Sequence, residues 1–187
     1  MKVKLLFLLL FGFSFAYGQK YYQLSNHYLV VKGTSNLHAW QSKSNEVRAN
    51  GTIHVEAGTL KAINSLYVEI PVKSIKSEKG SIMDGKTYDA LKADNFPNIS
   101  FKVDRINGIN KSGDGFDVNA ACTLTIAGAS RKIDMNVRAK VGADGSVTFS
   151  GSKKLLMTDY NIKPPTALMG TLTTGNEVEI AFQVTLK

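Results

Sequence analysis

The side chains of this sequence that could do chemistry are few, and their spacing forms no catalytic constellation. His27, His38 and His54 stand apart, without metal-ligand spacing or an acidic cluster beside them, so no metal site is expected. The single cysteine, Cys122, falls on the apolar parity of a strand with Phe116, Val118, Ala120, Leu124 and Ile126. Neither a histidine nor a basic cluster adjoins it to stabilise a thiolate, so it reads as a small core residue. No glycine-rich loop follows a strand and opens a helix, as phosphate-cradling motifs require. The chain is therefore read as a non-enzyme without cofactor. Four polar residues sit where the pattern breaks. His38 shares parity with Trp40, so an extended segment projects both to one side, where His38 could meet a bound molecule or be tied to a backbone carbonyl. Asp84 reads as a helix N-cap, accepting amide hydrogen bonds. Asp159 interrupts an irregular segment, and Lys163 offers a cation beside the rigid Pro164-Pro165 pair.

The elements that must position these groups are strands with one dry face. In the last one, Val178, Ile180, Phe182, Val184 and Leu186 alternate with polar or small residues, the period of a half-buried strand. The same alternation predicts strands over 21–25, 28–35, 44–56, 62–71, 99–106, 116–127, 132–141, 146–156 and 177–186. Turns are expected at Ala57-Gly58, Gly108 to Gly115, Gly128 and Ala143-Asp144-Gly145, the last being the clearest hairpin signal. Between Ser81 and Asn95 the spacing turns helical and ends at Phe96-Pro97, which predicts a short helix from Asp84 to Ala93. The stretch from Thr158 to Thr174, with its two prolines, reads as a long loop, either a lid or a rigid packed crossing. With so little helix to cover a sheet, the sheet must close on itself as a sandwich or barrel. On this parity one face carries Ile53 and Val55; Leu66, Val68 and Ile70; Phe101 and Val103; Val118 and Leu124; Met135 and Val137; Phe149; Ile180 and Phe182.

Composition narrows the setting. One domain accommodates 187 residues of this kind. Lys2 and Lys4, the apolar run Leu5 to Phe15 and Ala16-Tyr17-Gly18 form a secretory leader, with cleavage placed after Gly18 and Ala16 as the other position the small residues offer. Residues 19–187 then form the mature domain, exported, soluble and periplasmic. No thiol stands at the cleavage site to carry a lipid anchor. Formal charge is +8 and drops to +6 when Lys2 and Lys4 leave with the leader. The cations are scattered over polar faces, so no nucleic acid is expected as a partner, and a weak, salt-sensitive contact with anionic membrane surfaces fits better. Alternation cannot say which face of a barrel is outside, but the aromatic girdles of an outer-membrane barrel are missing from the strand ends.

Several motifs sit in order at the breaks in the alternation: Gly33-Thr34-Ser35-Asn36-Leu37-His38-Ala39-Trp40, Ile70-Pro71-Val72-Lys73-Ser74, Ala90-Leu91-Lys92-Ala93-Asp94-Asn95-Phe96-Pro97, Leu124-Thr125-Ile126-Ala127-Gly128, and Asp159-Tyr160-Asn161 before Pro164-Pro165 and Met169-Gly170. Together they closely resemble the YceI-like family of exported lipid-binding proteins, over nearly all of the mature chain. Ala39 stands where an aspartate is common, and in Thr174-Gly175-Asn176 an asparagine stands where an acidic residue is expected after the glycine. The resemblance implies an all-β fold, an antiparallel eight-stranded lipocalin-like barrel with one short helix and a long proline-containing loop. It also implies an apolar tunnel holding a polyisoprenoid or similar long-chain amphiphile. The lining expected from it is the parity face named above together with Trp40, Leu91, Phe96 and Met169, with His38, Asp84, Asp159 and Lys163 at the polar mouth. The partner expected is thus an isoprenoid or other amphiphilic lipid, and pairing into a homodimer stays open. The alternatives are an exported stress-response or interaction module without a small ligand and, behind it, an enzyme.

Overall fold

A computed structural model describes residues 19–187; the expected leader lies outside the described residues. The first strand, β1 (Lys20–Ser35), continues through the gap expected after Ser25 by way of a register shift between Leu24 and Asn26. It is followed by β2 (Ala39–Ser44), β3 (Arg48–Glu56) and β4 (Thr59–Pro71). Sequence parity merges the end of β2 with β3. The chain instead breaks at residues 45–47, where the Asn45 amide donates to the Ser74 carbonyl at 3.0 Å and the Ser44 hydroxyl to the Glu46 carbonyl at 2.7 Å. Then come β5 (Ile75–Ser77), the helix α1 (Ser81–Ala90), β6 (Asn98–Ser112), β7 (Gly115–Ile126), β8 (Ala129–Val141), β9 (Val147–Leu156), β10 (Thr166–Ala167) and β11 (Leu172–Leu186).

Eight of these strands close an antiparallel barrel, in the order β11-β9-β8-β7-β6-β4-β3-β1, with β1 returning to pair with β11. Two-residue loops at Ala57-Gly58 and Ala127-Gly128 hold both residues at positive φ, the geometry whose twist matches a hairpin. The Asp144 carboxylate accepts the amide and hydroxyl of Ser146 and shapes the β8–β9 turn. The turn expected from Gly108 is absorbed into β6, which runs on to Ser112 through two register shifts. The dry face points inward: Ile53, Val118, Val147 and Leu186 are almost fully buried.

Three departures from the sequence reading bear on function. The helix spans Ser81–Ala90 rather than 84–93, so its N-cap is Gly80, at φ 87, and not Asp84. A glycine at this φ turns the chain into the helix without a Cβ penalty, and Asp84 falls inside the first turn. Second, β11 begins at Leu172 and shortens the expected loop; Thr173 pairs with Thr166, and Thr174 with Ser35. Third, β1 forks: Lys20–Gln23 pair with β3, whereas Val30–Thr34 pair with β2, which in turn pairs with β5. The fork carries β2, β5 and α1 beyond the wall, over one end of the barrel.

Candidate functional site

The two ends of the barrel differ. At the end where β1 begins and β11 finishes, Tyr22, Phe116, Ala139, Val147, Phe149 and Leu186 are buried against one another. The Tyr22 hydroxyl donates to the Gly145 carbonyl at 3.1 Å, and Gln23 and Lys187 exchange backbone hydrogen bonds of 3.0 and 2.9 Å. That end is plugged by side chains. At the other end, under β2, β5 and α1, lies an apolar cavity of about 280 Å³. Its walls are Val31, Trp40, Ile75, Leu91, Ile126, Leu155, Ile162, Val178 and Ile180, and its rim carries Ser35, His38, Lys79, Lys86 and Thr166.

Trp40 owes its place to a glycine. It pairs with Gly33 across β1 and β2, and a Cβ on Gly33 would stand 2.3 Å from the indole Cζ2. The ring therefore lies directly over the Gly33 backbone. Its Nε1 donates to the Thr34 carbonyl at 3.0 Å, which satisfies the one polar atom of the indole beside an apolar chamber. His38 also lines the cavity, and its Nδ1 lies 2.9 Å from the Ala39 carbonyl. Asn36, which sequence reasoning passed over, ties the β1–β2 turn to β11. Its Nδ2 donates to the Thr171 carbonyl at 2.8 Å and its Oδ1 accepts the Thr173 amide at 3.1 Å.

The helix is fixed over the mouth by polar contacts. The Asp84 carboxylate, 8% exposed, accepts the Ser77 amide at 2.6 Å and faces Lys76 Nζ at 3.4 Å. The Tyr88 hydroxyl donates to the Lys73 carbonyl at 2.9 Å and accepts from Lys76 Nζ at 2.6 Å. Opposite, Lys86 Nζ reaches the Thr166 carbonyl at 3.5 Å, a long bridge from helix to loop. Met83, Thr87, Ala90 and Leu91 turn towards the cavity.

The residues singled out in the sequence thus divide. Trp40, Leu91, Ile180 and His38 line the cavity. Ile53, Leu66, Val68, Ile70, Val118, Leu124 and Phe149 are buried in the packed core, with Val55, Phe101, Val103, Val137 and Phe182 half-buried against it. Met135 joins Ala120 and Cys122 in a small cluster flanked by Phe101 and Phe182. Phe96 sits outside the cavity; its ring covers Gly128, whose Cβ position is 2.5 Å from Phe96 Cζ. Met169 is fully exposed at φ 54. Asp84 anchors the helix, Asp159 borders a cleft beside the cavity, and Lys163 is exposed. Tyr160 is the wall residue that sequence reasoning overlooked; it is 2% exposed, and its signal was its place in the Asp159-Tyr160-Asn161 motif. Burial above all pushes the Cys122 thiol up to about 11, and Asp104 and Asp134 add to this. It is a core group. Among the described residues no cluster of three or more His, Cys, Asp or Glu side chains is placed to hold a metal ion.

A closed lipocalin-like barrel with an apolar chamber at one end is the architecture of a binding protein. The YceI-like domain matches residues 26–186, and the chain belongs to that family. Solved structures share the fold at low identity. A polyisoprenoid-binding domain from Saccharophagus degradans, implicated in plant cell wall breakdown, is 12% identical at a TM-score of 0.68, with 91% of this chain and 99% of that one covered. BcnA from Burkholderia cenocepacia is 18% identical at 0.61, over 85% and 95%. The YceI protein of Campylobacter jejuni is 20% identical at 0.56, over 98% and 97%. No curated protein matches the chain in sequence.

Proposed function

We propose that this protein is an exported, periplasmic carrier that takes the chain of an isoprenoid or similar amphiphile into the cavity under α1. The observation that carries the reading is the contrast between the two barrel ends: one plugged by Tyr22, Phe116 and Phe149, the other hollow and walled by Trp40, Ile180 and Leu91. Such a chamber needs no reactive group. Each methylene moved from water into it contributes about 0.8 kcal/mol, so a modest length of chain suffices for firm binding. The polyisoprenoid-binding relative and the family membership support a lipid-type ligand. Leu37, Lys79 and Lys86 stand at the cavity, and Leu37 is exposed, as is Ile82 on α1. Apolar tips among cations suit brief, salt-sensitive contact with an anionic bilayer, where a carrier would load or unload.

Isolation of the native protein under mild conditions, followed by mass spectrometry of extracted ligand, tests this. A co-purifying isoprenoid or fatty amphiphile is the expected result. A protein that carries no lipid and takes up none when offered would refute the carrier reading. Fractionation tests the location separately: recovery only from detergent-solubilised membranes would overturn it.

A further inference from the structure

The barrel wall has a side opening. Strands β8 and β9 pair only where Arg138–Val141 meet Val147–Ser150. Beyond that, residues 131–137 of β8 remain bonded to β7 and residues 151–156 of β9 to β11, but not to each other. Lys153 reaches across the gap, its Nζ donating to the Asp134 carbonyl at 2.8 Å. A cleft opens there, bordered by Arg131, Ile133, Lys153, Leu155, Asp159 and Tyr160. Tyr160 and Leu155 line both this cleft and the apolar cavity, so a single layer of side chains separates the two.

Two independent features mark the cleft as a polar site. The Tyr160 hydroxyl is buried and has no hydrogen-bond partner among the described residues. Folded proteins seldom leave such a group unpaired without a ligand or solvent to meet it. The second feature is unbalanced charge. Lys132 is paired with Asp104 at 2.7 Å and Lys154 with Glu177 at 2.9 Å. Arg131 and Lys153 spend hydrogen bonds only on backbone carbonyls, of Ser130 and Asp134, and form no ion pair among the described residues. Asp159 and Glu177 are the carboxylates that border the cleft, and of these Glu177 is already taken by Lys154. Burial first, then Asp159, raises the Tyr160 pKa above that of a free phenol, with Arg131 acting the other way. The hydroxyl is thus a donor at neutral pH.

We propose that the β8–β9 opening seats the anionic head, a carboxylate or phosphate, of an amphiphile whose chain lies in the apolar cavity, with Tyr160 as hydrogen-bond donor and Arg131 and Lys153 as counter-charges. The inference rests on the carrier reading and adds to it a head-group chemistry and a lateral place of entry. Charge-assisted hydrogen bonds are the strong ones, and here they combine with a preformed chamber for the chain.

The test compares dodecanoate, dodecyl phosphate and dodecanol, titrated against the intact mature protein and followed by Trp40 fluorescence. The expected result is a preference for the two anions of about tenfold or more over the alcohol, shrinking as salt rises. Tyr160→Phe, which keeps the ring, and Arg131→Gln should each bring the anion-to-alcohol ratio towards one, and thermal melts show whether each variant is folded. Inorganic phosphate alone should neither bind nor compete. Equal affinity for anions and alcohol, or an unchanged ratio in both variants, would overturn the head-group site and leave the carrier reading standing. Competition by free phosphate would reassign the cleft to a soluble anion and so overturn the proposal. Failure of all three amphiphiles to bind would bring down the carrier reading, and this inference with it.

Discussion

Trp40 is the one tryptophan of the chain, and it is a cavity wall, so ligand entry must change the surroundings of its ring. Loading with a saturated chain should shift its emission to the blue, and Gly33→Val, which puts atoms where the indole lies, should shift the emission of the empty protein and weaken chain binding at least about tenfold. Unchanged spectra in both cases would show that the ring does not face the ligand. Cys122 supplies a second residue-scale expectation. Its thiol keeps its proton up to about 11 against an ordinary value of 9.0, so the native protein should resist maleimide at pH 8 and be labelled only as fast as it unfolds. The sign of the stability effect follows. Below pH 9 the thiol is protonated in both states. Between about 9 and 11 the unfolded thiol ionises first, so stability falls as pH rises, by about 1–2 kcal/mol from this group. Denaturant midpoints at pH 8 and pH 10.5 should therefore drop less for Cys122→Ala than for wild type. The sequence already displayed Cys122 as a core residue, because strand parity and the absence of an activating neighbour are local properties. Tyr160 was not legible in this way. It stands in an irregular segment with no period to show which way it points.

At the scale of elements, the helix matters as a cover held by few contacts. Asp84 supplies the main one, a buried carboxylate on the Ser77 amide. Asp84→Ala strands that donor and removes one of the two partners of Lys76, the Tyr88 hydroxyl remaining, at a cost of about 1–3 kcal/mol. The expected outcome, measured by stopped-flow displacement of a bound chain, is faster ligand release with the sheet's circular dichroism unchanged. Release at the wild-type rate would show that α1 is not the cover. The helix was visible in the sequence as a change of period, but its start was displaced by three residues, since Asp84 resembles a cap and Gly80 supplies the positive φ that truly begins the turn. The splayed pair β8–β9 is the opposite case. Both strands alternate cleanly, and alternation says which residues face inward but not whether neighbouring strands stay in contact along their length.

For the whole molecule, the division into a plugged half and a hollow half yields a paired prediction. Phe149→Ala, in the plugged half, should cost about 3–5 kcal/mol of unfolding free energy while the folded fraction retains chain affinity. Ile180→Trp, in the hollow half, should block loading with a much smaller loss of stability. Equilibrium denaturation and ligand titration on both variants check this, and a reversed pattern would move the site to the other end. The sequence by itself determined the class of fold and its inward face: period-two alternation, the hairpin turns at Ala57-Gly58 and Ala127-Gly128, and the ordered motifs that mark the YceI-like family. These are written in short-range spacing, so they can be read from a linear string. Only the tertiary structure decided which part of the inward face is packed and which is open. Phe101, Phe149 and Ile180 share the same parity, yet one faces a cavity and the others fill a core. Whether apolar side chains meet across a barrel depends on the fork of β1, the divergence of β8 from β9 and the seat of α1, and these long-range contacts leave no local period.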